Sequence, residues 1–231
     1  MQCDINGRLY NYIPNTIQSK EHRDNYFKLA KKIFGLDFYP WYKSGFCGYS
    51  FIPYSLYDGD IAIASVGVSI SEMKWKNELK HCTQISTVMT EPEYRGKGLS
   101  RWLMELVLKE WEEKSDFIYL YANDSVVDFY PKFGFEKTTE YRYSMPISQK
   151  IVTFRKLDVT ISDDVHLIAE KYRLSNPFSS LTMENNLNLL MFHCITFLHD
   201  NILELSRKVQ SVNTLKLKPV RRRIEVPTDE I

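Results

Sequence analysis

Residues 94–100, Tyr-Arg-Gly-Lys-Gly-Leu-Ser, place two glycines and two cations between an apolar run and leucines at helical spacing. A glycine-rich turn that ends a strand and opens a helix leaves several backbone N–H groups pointing into one concavity, at the positive end of the helix dipole. Gly96 and Gly98 let the main chain approach an anion closely, and Arg95 and Lys97 add positive charge. The turn therefore predicts a cradle for a phosphate, above all a pyrophosphate.

The spacing of this turn does not fit the two common nucleotide motifs. It lacks the Gly-Lys-[Ser/Thr] ending of a P-loop and the three glycines of a dinucleotide fingerprint. A second segment follows at 123–135, where Asn123 leads to an ending that contains Tyr130, Gly134 and Phe135.

Together the two segments resemble the GNAT superfamily of acetyl-CoA-dependent N-acetyltransferases. The family signature Arg/Gln-x-x-Gly-x-Gly/Ala is matched by Arg95, Gly98 and Ser100, with serine where the family usually has glycine or alanine. The family's second element, an Asn that leads to a Tyr-x-x-x-Gly-Phe ending, is matched by the segment 123–135. The resemblance covers roughly residues 1–146.

The resemblance implies an α/β (α+β) GNAT fold, with a mixed, mostly antiparallel sheet flanked by helices. Apolar periodicity and turn residues independently predict the same order of elements. They predict a strand at 7–13, a helix at 19–34 that stops at Gly35, strands at 50–57, 60–74 and 81–90, a helix from the turn to about 113, a strand at 116–121, a helix at 124–133 and a strand at 135–145. Beyond these, the sequence predicts a turn at 176–177 and favours a helix in the apolar segment at 183–198. We expect an acetyltransferase domain at 1–146 and a small C-terminal α/β unit with a polar tail at 147–231. That unit should pack on the first domain or on its copy in a dimer, because a domain so small buries little surface alone.

The resemblance also implies which residues bind acetyl-CoA: Val88, Met89, Thr90, Arg95, Gly96, Lys97, Gly98, Leu99, Ser100 and Asn123. A bulge before the cradle would splay two strands apart for the pantetheine arm, with a backbone N–H near Met89 polarising the thioester carbonyl. For Asn123 a second interpretation stays open, since asparagine also caps helices well.

Tyr130 corresponds to the family's usual general acid, which would protonate the leaving thiolate, although the ring could also serve packing alone. The base is less clear. The position where the histone-acetylating branch has a glutamate is Gln84, which accepts no proton at neutral pH. Glu72, His81 and Glu91 remain candidates, as does a chain of water molecules.

The sequence therefore predicts an N-acetyltransferase that moves an acetyl group from acetyl-CoA directly to a primary amine of a small molecule or peptide. The alternative is a CoA-binding sensor or interaction module with little catalysis. The aromatic residues of 36–48 would shape the acceptor pocket or pack in the core: Phe38, Tyr39, Trp41 and Tyr42. A nucleic-acid role for the basic tail at 221–223 is disfavoured by the acidic residues around it.

Composition limits the remaining classes. A net charge of +1 over 231 residues argues against bulk attraction to nucleic acid or to a membrane. The four cysteines lie far apart and form neither a zinc pattern nor a secreted disulfide framework, so we expect no metal and a reducing, cytoplasmic location. The first residues lack the basic and apolar regions of a signal peptide. Composition leaves a homodimer open.

Overall fold

The computed structural model describes residues 1–139, 141–144, 154–174, 181–205 and 218–221. Its strands are β1 (Gln2–Ile5), β2 (Arg8–Ile13), β3 (Phe51–Asp58), β4 (Ile61–Trp75), β5 (Glu78–Thr90), β6 (Phe117–Leu120), β7 (Tyr141–Ser144), β8 (Phe154–Lys156), β9 (Leu181–Glu184), β10 (Leu203–Leu205) and β11 (Lys218–Arg221). Its α-helices are α1 (Lys20–Phe34), α2 (Tyr39–Lys43), α3 (Leu99–Trp111), α4 (Ser162–Arg173) and α5 (Leu187–Thr196).

The main sheet has the strand order β1-β2-β3-β4-β5-β6. Strand β9 pairs with residues 72–75 of β4, which lie beyond the part of β4 that pairs with β3. Neighbouring strands are antiparallel except for β5 and β6, which are parallel. The predicted mixed, mostly antiparallel sheet flanked by helices is therefore confirmed. Tight turns connect the hairpins, and each contains a residue with positive φ, such as Gly59 between β3 and β4.

Strand β1 is absent from the sequence prediction, which began the first strand at residue 7. Asn6 and Gly7, with φ of 54° and 79°, form the turn that pairs β1 with β2. An Asn-Gly dipeptide is a strong hairpin signal, so the sequence did contain the information.

Helices α1 and α3 cover opposite faces of the sheet and make two separate cores. The α3 face contains the buried side chains of α3 with those of β2 to β5, among them Leu103, Met104 and Val66. The α1 face is an aromatic cluster that contains Tyr26, Phe38 and other rings of α1, α2 and β3. Helix α1 ends as predicted at Gly35, whose φ is 70° and whose N–H donates to the carbonyl of Lys31 at 3.0 Å.

The segment Asp124–Phe133, predicted as a helix, is a 3₁₀-helix that contains Pro131. Proline has no N–H to donate and its ring clashes with the preceding turn of an α-helix, so a regular α-helix is disfavoured here. Gly134, with φ of 83°, ends it as the second motif predicts. The strand predicted at 135–145 is limited to β7, which pairs with β11; residues 140 and 145 lie outside the described residues.

The C-terminal part of the chain contributes to the main sheet as well as forming a small core of its own. Strands β8 and β10 pair with each other, and α4 and α5 bury Leu157, Ile168, Met191 and Cys194. Helix α5 is the helix predicted for the apolar segment at 183–198, although β9 occupies the beginning of that segment. The turn predicted at 176–177 and most of the tail after 214 lie outside the described residues.

Among the described helices, none has both the length and the apolar character needed to cross a bilayer.

Candidate active site

The turn between β5 and α3 has the geometry of an anion cradle. Gly96 and Gly98 have φ of 75° and 80°, and helix α3 begins immediately afterwards without a side-chain cap. The amides of Leu99 and Ser100 make no hydrogen bond to a described residue, whereas the N–H of Trp102 already bonds the carbonyl of Gly98 at 3.0 Å. The first turn of α3 therefore presents free donors beside two exposed glycines.

Cationic and aromatic side chains surround this turn. Arg95 Nε donates to the carbonyl of Thr90 at 3.3 Å, so its side chain folds back over the end of β5. Lys97 Nζ lies 4.4 Å from the centroid of the Tyr94 ring, whose hydroxyl donates to Asp58 Oδ2 at 2.7 Å. Both cations are exposed, and both are available to an anion in the cradle.

Asn6, in the turn between β1 and β2, also supports the cradle. Its Nδ2 donates to the carbonyl of Lys97 at 3.1 Å, and a Cβ at Gly98 would lie 3.2 Å from the same nitrogen. Sequence reasoning missed Asn6. The Asn-Gly turn would have placed it at a hairpin tip but not beside a residue 91 positions later.

Ser100, at the position where the family pattern has glycine or alanine, forms a hydrogen bond through its side chain. Its Oγ lies 2.5 Å from Thr90 Oγ1, so one hydroxyl–hydroxyl bond ties the end of β5 to the first turn of α3. Glycine or alanine at this position would lack that bond. The same hydroxyl is half-buried at the cradle, where it remains close to any bound anion.

Strand β5 contains a bulge, and it separates from β6 next to that bulge. The register with β4 shifts between Ser65 and Gly67, so that Thr87 and Val88 together oppose a single residue. Pairing with β6 ends at Ile85, and no strand of the described residues pairs with 86–90 on that side. The bulge and the opening between the two strands are those implied by the resemblance.

The direction of the amides around the bulge follows from the ladder. The N–H of Glu91 donates to the carbonyl of Ile63 on β4 at 2.8 Å. Successive amides of a strand point to opposite sides, so Met89 faces β4 while Val88 and Thr90 face the opening. The amides near Met89 that face the opening are therefore those of Val88 and Thr90. The Met89 side chain itself is buried against α1.

Asn123 stands across the opening, just after β6. It is exposed and occupies the N-cap position of the 3₁₀-helix, yet its side chain makes no capping hydrogen bond. Among the described residues, its backbone carbonyl accepts from the N–H of Val126 at 3.0 Å, and its side chain has no hydrogen-bond partner. The capping interpretation of Asn123 thus has no hydrogen bond to support it, and the amide group is available to a ligand.

Tyr130 is buried on the α3 face, with 9% of its surface exposed. Its ring meets those of Phe129 and Phe135 edge-on, at centroid distances of 5.3 and 6.2 Å. Among the described residues, none is hydrogen-bonded to its hydroxyl. Burial raises the pKa of Tyr130, so the phenol keeps its proton at neutral pH.

The base candidates occupy very different places. Glu72 and His81 oppose each other 3.9 Å apart across β4 and β5, but roughly 20 Å of strand separates His81 from the bulge. Glu91 is buried and bonded to Lys32 of α1. Neither pair offers a free base at the opening.

Gln84, by contrast, lies directly beside the opening on β5. The hydroxyl of Tyr119, on β6, donates to its Oε1 at 3.4 Å. Burial raises the pKa of Tyr119 to about 12, so this hydroxyl is a donor and not a base. The side chains at this position provide neutral hydrogen-bonding groups.

Of the four aromatic residues of the segment before β3, two pack in the core and two are partly exposed. Phe38 and Trp41 are buried; Phe38 stacks on Phe51 at 5.8 Å and on Phe192 at 5.5 Å. Tyr39 and Tyr42 are less buried, and Arg23 lies over the Tyr42 ring at 4.1 Å. Sequence reasoning missed the contribution of Phe192, which α5 brings from the C-terminal part of the chain.

Helix α5 holds this segment through hydrogen bonds as well as ring contacts. Trp41 Nε1 donates to the carbonyl of Asn188 at 3.0 Å, and Asn188 Nδ2 donates to Ser50 Oγ at 3.0 Å. One residue of α5 thus bonds both α2 and the end of the loop that leads to β3.

Comparison with known proteins finds a similarity in this region. Residues 53–138, which include most of β3, all of β4 to β6, the cradle and Tyr130, match the family model of the acetyltransferase (GNAT) domain. A probable N-acyltransferase from Enterococcus faecalis, a conserved protein of unknown function, has a similar fold, with a TM-score of 0.51 at 16% identity; the match covers 71% of this chain and 43% of that one.

Two shorter solved proteins resemble the chain over a smaller part. A predicted acetyltransferase from Clostridium acetobutylicum, solved with acetyl-CoA, matches with 17% identity and a TM-score of 0.46, over 60% of this chain and 96% of its own. Glucosamine-6-phosphate N-acetyltransferase from Arabidopsis thaliana matches with 15% identity and a TM-score of 0.45, over 61% and 98%.

Proposed function

We propose that the chain transfers an acetyl group from acetyl-CoA directly to a primary amine of a small molecule or peptide; the match of residues 53–138 to the acetyltransferase (GNAT) domain supports this proposal. The observation that carries this proposal is the opening between β5 and β6, which leads to a cradle of free amides. A thioester arm along the opening and a pyrophosphate in the cradle would use the two features together.

The residues present fit acetyl-CoA. The free amides at the start of α3, with Arg95 and Lys97, would bind the pyrophosphate. The amides of Val88 and Thr90 would receive the pantetheine arm and the thioester carbonyl, as an added strand would be received. Asn123 would hydrogen-bond the cofactor from the other side of the opening.

Acetyl-CoA supplies the acetyl group when bound, and the chain's own groups manage the charge and the proton. An amide of Val88 or Thr90 would stabilise negative charge on the carbonyl oxygen. Tyr130 would give its proton to the departing thiolate, since a neutral phenol can donate where an anion cannot. The acceptor's proton would leave through water near Gln84, because the side chains there are neutral.

A panel of amines incubated with acetyl-CoA and the protein tests the activity directly. Release of free CoA thiol that depends on one amine, together with a product heavier by one acetyl group, would support the proposal. The panel should contain amino sugars, polyamines, amino acids and peptides. Release at the same rate without any amine would mean hydrolysis and would contradict it.

Acetyl-CoA binding can be tested apart from turnover with Gly98→Ala. Alanine at this position is strained by the positive φ and meets Asn6, so we expect a loss of affinity of about tenfold or more. Gly134→Ala is the matched control, because its φ of 83° imposes similar strain where no atom lies within 4 Å. Equal affinities of the two variants by calorimetry would refute the cradle.

A second function, a CoA-binding sensor with little catalysis, is favoured by one observation. Gln84 stands beside the opening where a carboxylate would serve as base, and it is engaged by Tyr119. Acetyl-CoA binding that depends on Gly98, without turnover on any amine of the panel, would identify the sensor.

A further inference from the structure

Thr87, in the bulge of β5, has an unusual backbone conformation. Its φ is 44°, in the left-handed region that residues branched at Cβ rarely adopt. Such a residue persists only where its surroundings force the conformation, and residues of this kind cluster at functional sites. Thr87 immediately precedes Val88, whose amide faces the opening.

Two neighbours hold Thr87 in this conformation. The hydroxyl of Tyr26, on α1, lies 3.1 Å from Thr87 Oγ1. On β4, Gly67 provides the space that the threonine hydroxyl occupies, because a Cβ there would lie 2.4 Å from Thr87 Oγ1 and 3.0 Å from the Phe51 ring. The absence of a side chain at 67 and the hydroxyl at 26 therefore fix one threonine rotamer.

Tyr26 itself has little freedom. It is fully buried, and its ring contacts those of Phe27, Phe38 and Phe51 at centroid distances of 5.9 to 6.3 Å. Among the described residues, Thr87 is the hydrogen-bond partner of its hydroxyl. Burial raises the pKa of Tyr26, so the hydroxyl is neutral throughout the physiological range.

We propose that Tyr26 is a positioning residue for acetyl transfer: its hydroxyl holds Thr87, and Thr87 sets the direction of the Val88 and Thr90 amides that face the opening. This inference rests on the proposed function. The hydrogen bond to Thr87 is the link between Tyr26 and the bulge. Donors aimed at a developing charge lose much of their effect when displaced by about 1 Å.

The test compares variants that remove the bond with variants that remove a similar group nearby. Tyr26→Phe and Thr87→Val each delete one hydroxyl of the pair. We expect kcat to fall about 10- to 100-fold while the acetyl-CoA dissociation constant stays within about threefold. Thr87→Ser keeps the hydroxyl and should retain kcat.

Tyr57→Phe is the matched control in the same aromatic cluster. The Tyr57 hydroxyl is also buried and donates to α1, to the carbonyl of His22 at 2.7 Å, but does not touch the bulge. We expect its melting temperature to fall about as much as that of Tyr26→Phe, with kcat unchanged. A comparable loss of kcat in both variants, or an unchanged kcat in Tyr26→Phe, would overturn the proposal.

Hydrogen exchange separates this proposal from the proposed function. In Tyr26→Phe the Met89 amide, which lies in the ladder to β4, should exchange faster than in the wild-type protein, while amides at the far end of β5 stay unchanged. If the wild-type protein acetylates no amine, the proposed function fails, and exchange still decides whether Tyr26 holds the bulge. If Tyr26→Phe does not fold, Thr87→Val against Thr87→Ser decides the same question.

Discussion

Tyr130, which we propose protonates the leaving thiolate, is buried and belongs to the core on the α3 face, together with Leu99 and Leu103. A phenol in that environment has a raised pKa and resists ionisation as the pH increases.

We therefore expect Tyr130→Phe to lower kcat by at least about tenfold, since general acids contribute roughly 10²- to 10⁴-fold, and to leave acetyl-CoA affinity unchanged. Because the folded-state pKa lies above the ordinary value near ~10, deprotonation of this group should cause no loss of kcat between about pH 7 and 9. Steady-state kinetics across that range are the measurement. Tyr12→Phe, in the same core, is the control, and a kcat within twofold of wild type in Tyr130→Phe would leave Tyr130 as a packing residue.

At the scale of elements, the start of α4 depends on one carboxylate. Asp164 is buried; its oxygens accept from the N–H of Asp158 at 2.8 Å and from Arg155 at 2.6 Å. These two donors, the Asp158 amide foremost, lower the pKa of Asp164. The carboxylate thus joins the end of β8 to the first turn of α4.

Asp164→Asn should lower the free energy of unfolding at pH 7, because the charge-assisted bonds are lost. The folded-state pKa lies below the unfolded value near ~3.9, so this stabilisation is present above that value and disappears as the pH falls through the folded pKa. The difference between wild type and variant should consequently shrink as the pH is lowered below about 4. Urea unfolding at several pH values measures it, with the exposed neighbour in Asp163→Asn as control; a gap that is constant with pH would contradict the assignment.

At the scale of the whole molecule, the C-terminal part of the chain completes the main sheet. Strand β9 pairs with β4, and α5 covers Phe38 and Trp41 with Phe192. We expect truncation after residue 146 to expose these rings and to reduce soluble yield and melting temperature. A truncated protein that stays soluble and fully active on the same amine would show that the C-terminal part is an independent appendage.

A point substitution tests the same contact without removing strands. Phe192→Ala should cost about 2 kcal/mol or more of unfolding free energy, because it leaves a cavity between Phe38 and Trp41. Phe197→Ala, which removes a ring that is half exposed, should cost much less. Equal costs in urea unfolding would argue against a close association of α5 with α2.

Whether the sequence predicts a given interaction depends on how far apart the two interacting residues lie along the chain. Gly35 and Gly59 act through their own backbone conformations, so helix ends and hairpins follow from local patterns. The bond from Asn6 to Lys97 and that from Tyr26 to Thr87 join residues 91 and 61 positions apart, and no local pattern specifies them. For 124–133 the sequence does contain a local signal against a regular α-helix, namely Pro131, but apolar periodicity alone does not take the proline into account.

The pairing of β9 with β4 also has a consequence during synthesis on the ribosome. Glu184 opposes Glu72, so the strand that completes this part of the sheet emerges about 110 residues after its partner, roughly 5 to 20 s later at ordinary rates of elongation. Until then the edge of β4 at Met73–Trp75 is unpaired, and such an edge is a template for intermolecular pairing. Contacts this distant in sequence slow folding, so the nascent chain should benefit from chaperones that shield that edge.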